Sequence, residues 1–251
     1  DVVQATFQIA PDAAPGRRWV RVASERSGLT NFAHFVVGSL PEQLEQEPNN
    51  EPAAAQAVSA PLVVNGRVNP KADRDCFRFQ AKRGQRIVAA VSAHALDVHG
   101  QGSNYGIADM SLELRDDQGR VLAEAEDTVG FDPLIESVIP ADGDYIACVK
   151  LVAYGGFAEA VYRLTLGEVP FVTSVFPPGV QRGSSAVVDL TGPNVPAGTR
   201  FEVSASPDDW FPVEHIAWND VSTGGNDVPI VRGDFPEIIE AEPNNDAAQA
   251  T

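Results

Sequence analysis

The sequence predicts an all-β chain of tandem antiparallel β-sandwich modules, and three observations carry that reading. Short segments of alternating apolar and polar residues recur between turn-forming residues, with no helical period of any length. Gly and Pro supply 21 and 19 of the 251 residues, which suits short strands joined by turns. A twelve-residue motif also returns far along the chain, as a modular protein would show.

The chain has room for about two domains, and at 43% hydrophobic residues it can bury real cores. Eighteen Lys and Arg against 35 Asp and Glu leave a formal charge of −17. That balance argues against nucleic acid and anionic membrane surfaces as partners, and it is compatible with cation binding. No apolar window of about 18 residues is present, so no membrane insertion is expected. Asp1-Val2-Val3-Gln4 lacks the basic start and apolar core of a signal peptide, and the missing initiator Met suggests a processed chain or a fragment.

In chain order, residues 1–40 read as the closing strands of a sandwich whose opening strands are missing. The motif Leu40-Pro41-Glu42-Gln43-Leu44-Glu45-Gln46-Glu47-Pro48-Asn49-Asn50-Glu51 follows. It returns 195 residues later as Phe235-Pro236-Glu237-Ile238-Ile239-Glu240-Ala241-Glu242-Pro243-Asn244-Asn245-Asp246. The stretches 38–50 and 233–246 therefore read as acidic linkers. Residues 51–58 can form a brief helical turn. Strands are expected at 62–68, 75–80, 85–93, 109–115, 119–125, 134–139, 144–151 and 160–167. Asp116-Asp117-Gln118-Gly119 and Ala141-Asp142-Gly143-Asp144 carry turn chemistry, and Tyr154-Gly155-Gly156 reads as a hairpin turn. A first full module thus spans 41–168 and a smaller sandwich spans 169–240. Residues 241–251 open a further repeat.

The ordered set over about 45–168 resembles the bacterial pre-peptidase C-terminal (PPC) domain. It begins Glu45-Gln46-Glu47-Pro48-Asn49-Asn50, Gly66-Arg67-Val68 and Asp73-Arg74-Asp75-Cys76-Phe77-Arg78-Phe79. It continues with Lys82-Arg83-Gly84-Gln85, Leu112-Glu113-Leu114, Asp132-Pro133, Asp142-Gly143-Asp144-Tyr145 and Tyr162-Arg163-Leu164-Thr165-Leu166. The flanking parts resemble immunoglobulin-like (IPT/TIG-type) sandwiches, from Val175-Phe176-Pro177-Pro178-Gly179 and Leu190-Thr191-Gly192-Pro193-Asn194. Such alternation is similar to large secreted or surface proteins of planctomycete-type bacteria. The resemblance implies export and a jelly-roll-like central domain.

It also implies a calcium site, since PPC domains of secreted collagenases use a Glu-x-Glu-x-Asn linker with nearby Asp residues. The matching residues are Glu45, Glu47, Asn49, Asn50, Asp73 and Asp75, with Asn50 where an Asp often stands. Calcium takes six to eight hard oxygen ligands, which such a set supplies. The same residues also suit a plain turn, with Pro48 fixing φ and solvated carboxylates around it. Cys76 and Cys148 share the phase opposite to Phe77, Phe79, Tyr145, Ala147 and Val149. Both thiols then face away from the core, as a bridge if their strands are neighbours or as two inert thiols.

No catalytic constellation is expected. His34, His94, His99 and His215 are scattered without zinc-helix spacing, and Ser184-Ser185 is not a nucleophile elbow. Arg232-Gly233-Asp234 is read as a strand exit. Trp19, Trp210 and Trp218 are read as core residues that would form a carbohydrate platform only if exposed. The chain is expected to be a non-enzymatic structural or adhesive repeat segment of an extracellular or cell-surface bacterial protein. Its partners would be other copies or modules of that protein, or extracellular protein or polysaccharide. The alternative is an accessory, substrate-binding or maturation-removed region of a secreted peptidase or other hydrolase.

Overall fold

The computed structural model describes residues 4–25, 28–30, 32–96, 108–153, 155–208, 213–220 and 224–247. The chain is all-β, with two one-turn 3-10 segments among the described residues, at Pro52–Ala54 and His94–Leu96. It opens with β1 (Gly16–Val20), β2 (Ala23–Ser24), β3 (Gly28–Leu29) and β4 (Ala33–Val37). β1 pairs antiparallel with β4, and β2 with β3.

Among the described residues, ten strands build the central sandwich. They are β5 (Glu42–Leu44), β6 (Gln56–Ala57), β7 (Leu62–Arg67), β8 (Arg74–Ala81), β9 (Arg86–Ser92), β10 (Met110–Asp116), β11 (Val121–Ala125), β12 (Leu134–Val138), β13 (Gly143–Leu151) and β14 (Val161–Gly167). One sheet has the order β11-β10-β13-β8-β6 and the other β12-β9-β14-β7-β5. The eight longer strands fall where alternation places them. The period of two decides which side of each strand is buried: Phe77 and Phe79 of β8, Leu112 and Leu114 of β10, and Leu164 and Leu166 of β14 meet in one core. β9 is apolar on both sides because its outer face is also covered. Val88 and Ala90 pack there with Val169 and Phe171, and Leu40 leans on the same cluster.

The smaller sandwich contains β15 (Ser174–Phe176), β16 (Gly179–Gln181), β17 (Ser185–Thr191), β18 (Arg200–Ser204), β19 (Val213–Asp220) and β20 (Gly224–Gly233). Its sheets run β15-β17-β18 and β16-β20-β19 around Val180, Val188, Leu190, Val203, Ile216, Val228 and Ile230. The β1–β4 pair touches it: Arg17 pairs with Asp227, and the site of a Gly16 Cβ lies 3.3 Å from Ala217.

Three expectations are corrected. The pairing is not antiparallel throughout: β5 adds parallel to β7, β6 parallel to β8, and β16 parallel to β20. The brief helical turn expected in 51–58 is present as one 3-10 turn, after which the sheet edge captures Gln56–Ala57 as β6. The segment around Gly155-Gly156 is no hairpin, since β13 and β14 lie in different sheets and it crosses between them; Tyr154 lies outside the described residues. Trp19 is 54% exposed, set edge-on between Phe32 and His34, because among the described residues only β4 pairs with its strand. Trp218 packs against the smaller core, while Trp210 and His99 lie outside the described residues.

Candidate cation cradle

The linker after β5 does not hang free. β5 adds to the open edge of one sheet and β6 to the same-side edge of the other, so residues 45–55 cross the mouth between the sheets. Asp73 and Asp75 arrive beneath this crossing from the β7–β8 connection and the start of β8. Asp75 shares the inward phase of Phe77 and Phe79, so the alternation that builds the core also points a carboxylate into the end of it.

Glu47, Asp73 and Asp75 bring carboxylate oxygens within 4.8 Å of one another. Asp75 is fully buried and Asp73 nearly so, whereas Glu47 is exposed and opens the cluster to solvent. Neighbouring donors orient each group. Tyr162 Oη donates to Asp75 Oδ2 at 2.8 Å, the Asn69 amide donates to Asp73 Oδ2 at 2.8 Å, and Asn50 Nδ2 donates to Asp73 Oδ1 at 2.5 Å. The Asn49 amide donates to Glu47 Oε2 at 2.9 Å, and the Arg67 amide donates to Glu45 Oε2 at 2.9 Å. Asn49 is fully buried, its backbone carbonyl accepting from the Cys76 amide at 3.1 Å. Its side-chain Oδ1 and Nδ2 and the Asp75 Oδ1 atom have no hydrogen-bond partner, although buried polar atoms nearly always find one.

The electrostatics follow from this crowding. Desolvation first, and then the Glu45 and Asp73 charges, push the Asp75 carboxyl up to about 9. Burial likewise raises Glu45, against the Arg67 amide bond that lowers it. Tyr162 is raised well above its ordinary value by burial and by the two carboxylates it faces. Four carboxylates around two unsatisfied buried oxygens, with an exposed mouth, suit a hard divalent cation. All six residues expected from the sequence lie in this region; Glu45 lies outside the three-carboxylate cluster, although its side chain still meets Asp75. It bonds β7 and Tyr162, whose hydroxyl lies 3.4 Å from its Oε2.

Two contributors went unforeseen. Tyr162 closes the floor of the cradle from β14, and its strand phase gives no hint that its hydroxyl meets Asp75. Gly66 makes room for that ring: a Cβ there would overlap Tyr162 Cζ and Oη and stand 2.6 Å from Glu45 Oε2. The Gly in the Gly66-Arg67-Val68 motif is thus a steric requirement of the site.

The cysteines sit directly opposite each other on β8 and β13, Cα atoms 4.2 Å apart, and are joined by a disulfide. With Ile146 and Ala55 they form a small cluster on the outer face of the sheet, under the linker. Among the described residues the other singled-out groups serve local structure. His94 packs edge-on against Phe131, and Ser184 Oγ donates to Gln181 O at 2.6 Å. Asp234 of the Arg-Gly-Asp sequence pairs with Arg182 at 2.8 Å.

A pH dependence follows for the metal-free protein. Asp75 keeps its proton to about pH 9 in the folded state, while the unfolded chain releases it near its ordinary value of 3.8. Between those values the native state binds the extra proton, so stability falls as pH rises, by at most about 1.4 kcal/mol per unit. Urea unfolding in chelator is expected to show a lower midpoint at about pH 8 than at about pH 6, and Asp75→Asn to flatten the difference. A midpoint that rises over this interval in both proteins would remove Asp75 as its source.

No family model matches the chain. It is 35% identical over 102 residues to a probable subtilase-type serine protease of Deinococcus radiodurans. That match spans 39% of this chain and 13% of the protease. The structure is similar to the pre-peptidase C-terminal domain of a collagenase from Bacillus anthracis, at 18% identity and a TM-score of 0.35, over 47% of this chain and 99% of that one. It is also similar to Aeromonas hydrophila PliG, a periplasmic inhibitor of g-type lysozyme, at 12% identity and a TM-score of 0.29, over 50% and 98% of the two chains. Among the described residues, no helix is long and apolar enough to cross a membrane.

Proposed function

We propose that this chain is a non-catalytic, PPC-like accessory region of a secreted bacterial peptidase, stiffened by calcium at the cradle between residues 45 and 75. The observation that carries the cation is a pair of buried side-chain oxygens without a hydrogen-bond partner, Asn49 Oδ1 and Asp75 Oδ1, set among crowded carboxylates. Glu47, Asp73 and Asp75 are the carboxylate ligands, Asn49 Oδ1 is a neutral one, and Asn50 and Glu45 hold the shell in place. The stretch of likeness to a subtilase-type protease supports the peptidase context. An exported chain is also where a buried disulfide persists. The recurring twelve-residue motif favours a second reading of the same region, a serial spacer or adhesive segment at the cell surface that binds other modules or polysaccharide.

The role of the ion is mechanical. Without it, the crossing segment brings Glu45 and Glu47 over Asp73 and Asp75, with hydrogen bonds and the proton retained on Asp75 to offset their repulsion. With it, linker and sandwich become one body. An ion that binds the folded form alone stabilises it by about 1.4 kcal/mol at ten times Kd. Millimolar Ca²⁺ is therefore expected to raise the melting temperature by a few degrees, and EDTA to reverse the rise. Mg²⁺ should reproduce it poorly, because it demands octahedral geometry and sheds water reluctantly. Asp75→Ala with Glu47→Ala should abolish the response. Melting curves that coincide with and without Ca²⁺ would leave the linker as a hydrogen-bonded turn and nothing more.

A further inference from the structure

The twelve-residue motif occurs twice, once docked and once not. In the first copy, Pro41 O accepts from the Val63 amide at 2.8 Å, and the Glu45 amide donates to Asn65 O at 3.0 Å. Glu42 is clamped by Arg163, at 3.0 and 2.7 Å, and by Asn65 Nδ2 at 2.8 Å. That clamp outweighs burial and holds the Glu42 carboxyl below its ordinary value. Leu40 lies over Gly224, and Asn49 is sealed in the cradle.

In the second copy, every residue of 235–246 is exposed except the half-buried Asn244. Phe235 and Ile238 stand 82% and 85% in solvent. The bonds there are local: the Asn244 amide donates to Glu242 Oε2 at 2.9 Å, and Asn244 Nδ2 donates to Glu240 Oε2 at 3.0 Å. The first of these repeats the Asn49–Glu47 bond, so the turn forms without a sandwich beneath it.

Which residues the two copies share is informative. Seven of the twelve are identical: Pro41, Glu42, Glu45, Glu47, Pro48, Asn49 and Asn50 match Pro236, Glu237, Glu240, Glu242, Pro243, Asn244 and Asn245. Apart from Pro48, each of these contacts the sandwich or shapes the cradle in the first copy. Four of the five that differ, Gln43, Leu44, Gln46 and Glu51, are exposed there. Apart from Glu237, whose carboxylate lies against Gly179, the second copy therefore keeps docking residues that stay largely in solvent.

We infer that residues 235–246 are a docking strand for a second copy of the central sandwich. The strand adds in parallel to a β7-type edge, as β5 does within this chain. Glu237 takes the guanidinium at the Arg163 position, Asn244 enters the cradle beside the Asp73 and Asp75 positions, and Phe235 plugs the site that Leu40 fills here. Within this chain β5 covers the β7 edge, so the acceptor is a further copy of the sandwich whose β7-type edge takes 235–246 in place of its own linker.

The test is a graft within the whole chain. Leu40→Phe, Gln43→Ile, Leu44→Ile, Gln46→Ala and Glu51→Asp together convert the first motif into the second. Melting is measured in EDTA, so the outcome does not depend on calcium binding. A docking-deficient control carries Glu42→Ala with Asn49→Ala and is expected to melt about 10 °C lower. The graft is expected within about 3 °C of the unaltered protein. A second graft that retains Leu40 separates a misfit of the larger ring beside Gly224 from failure of the strand. Either graft melting with the unaltered protein supports the assignment, and both falling to the control overturn it.

Discussion

Gly66→Ala is expected to lower the melting temperature by on the order of 10 °C and to abolish the response to Ca²⁺. The added methyl has nowhere to go, since Tyr162 Cζ and Oη and Glu45 Oε2 already occupy the space above the backbone. Tyr162 is fully buried beneath the linker, so its ring must leave the core or β7 must bulge away from β14. Overpacking of this kind costs about 1–3 kcal/mol, and separating Tyr162 from Asp75 leaves a buried carboxyl without its donor. For a unit of this size those costs convert to roughly ten degrees. Gly143→Ala is the control, because a Cβ there meets nothing within 4 Å. Equal melting of the two variants would show that Gly66 is not the steric gate of the cradle.

Reduction of the Cys76–Cys148 bridge is expected to have a comparable or larger effect. The bridge joins residues 72 apart, and the chain-entropy model gives about 4 kcal/mol for a loop of that length. Denaturation with and without dithiothreitol measures the loss, and Cys76→Ala with Cys148→Ala should match the reduced protein. The Cys76 amide also holds the Asn49 carbonyl, so the unbridged protein should bind Ca²⁺ more weakly as well. Iodoacetamide modification of both residues in the native, unreduced chain would contradict the bridge itself.

Most of the fold is legible in the sequence because its strands are long and alternate. β8 carries Phe77 and Phe79 in one phase and Cys76 and Arg78 in the other, which fixes its face without knowledge of its neighbours. β5 and β6 were not legible, for the same physical reason. With three and two residues they have no period of their own, and they are strands only because an unpaired edge lies beside them. The cradle divides in the same way. Its acidic residues lie within two short stretches of chain, whereas Tyr162 comes from nearly ninety positions beyond Asp75. A phenol in an apolar strand phase reads as core, and only the register of β14 against β7 puts its hydroxyl between two carboxylates.

The register across β5, β7 and β14 also governs how the protein carries force. Glu42 lies beside Val63, and Val63 beside Thr165. The first residues of β5 and the last of β14 therefore leave the sandwich at one end, about 10 Å apart. Tension between residues 41 and 168 would not run along the strand axes, where many backbone bonds resist together. It would part β5 from β7 crosswise, one bond after another, beginning at Glu42 and its clamp to Arg163. The bundle would thus yield as a zip rather than as a bolt, and its first tooth is a single ion pair.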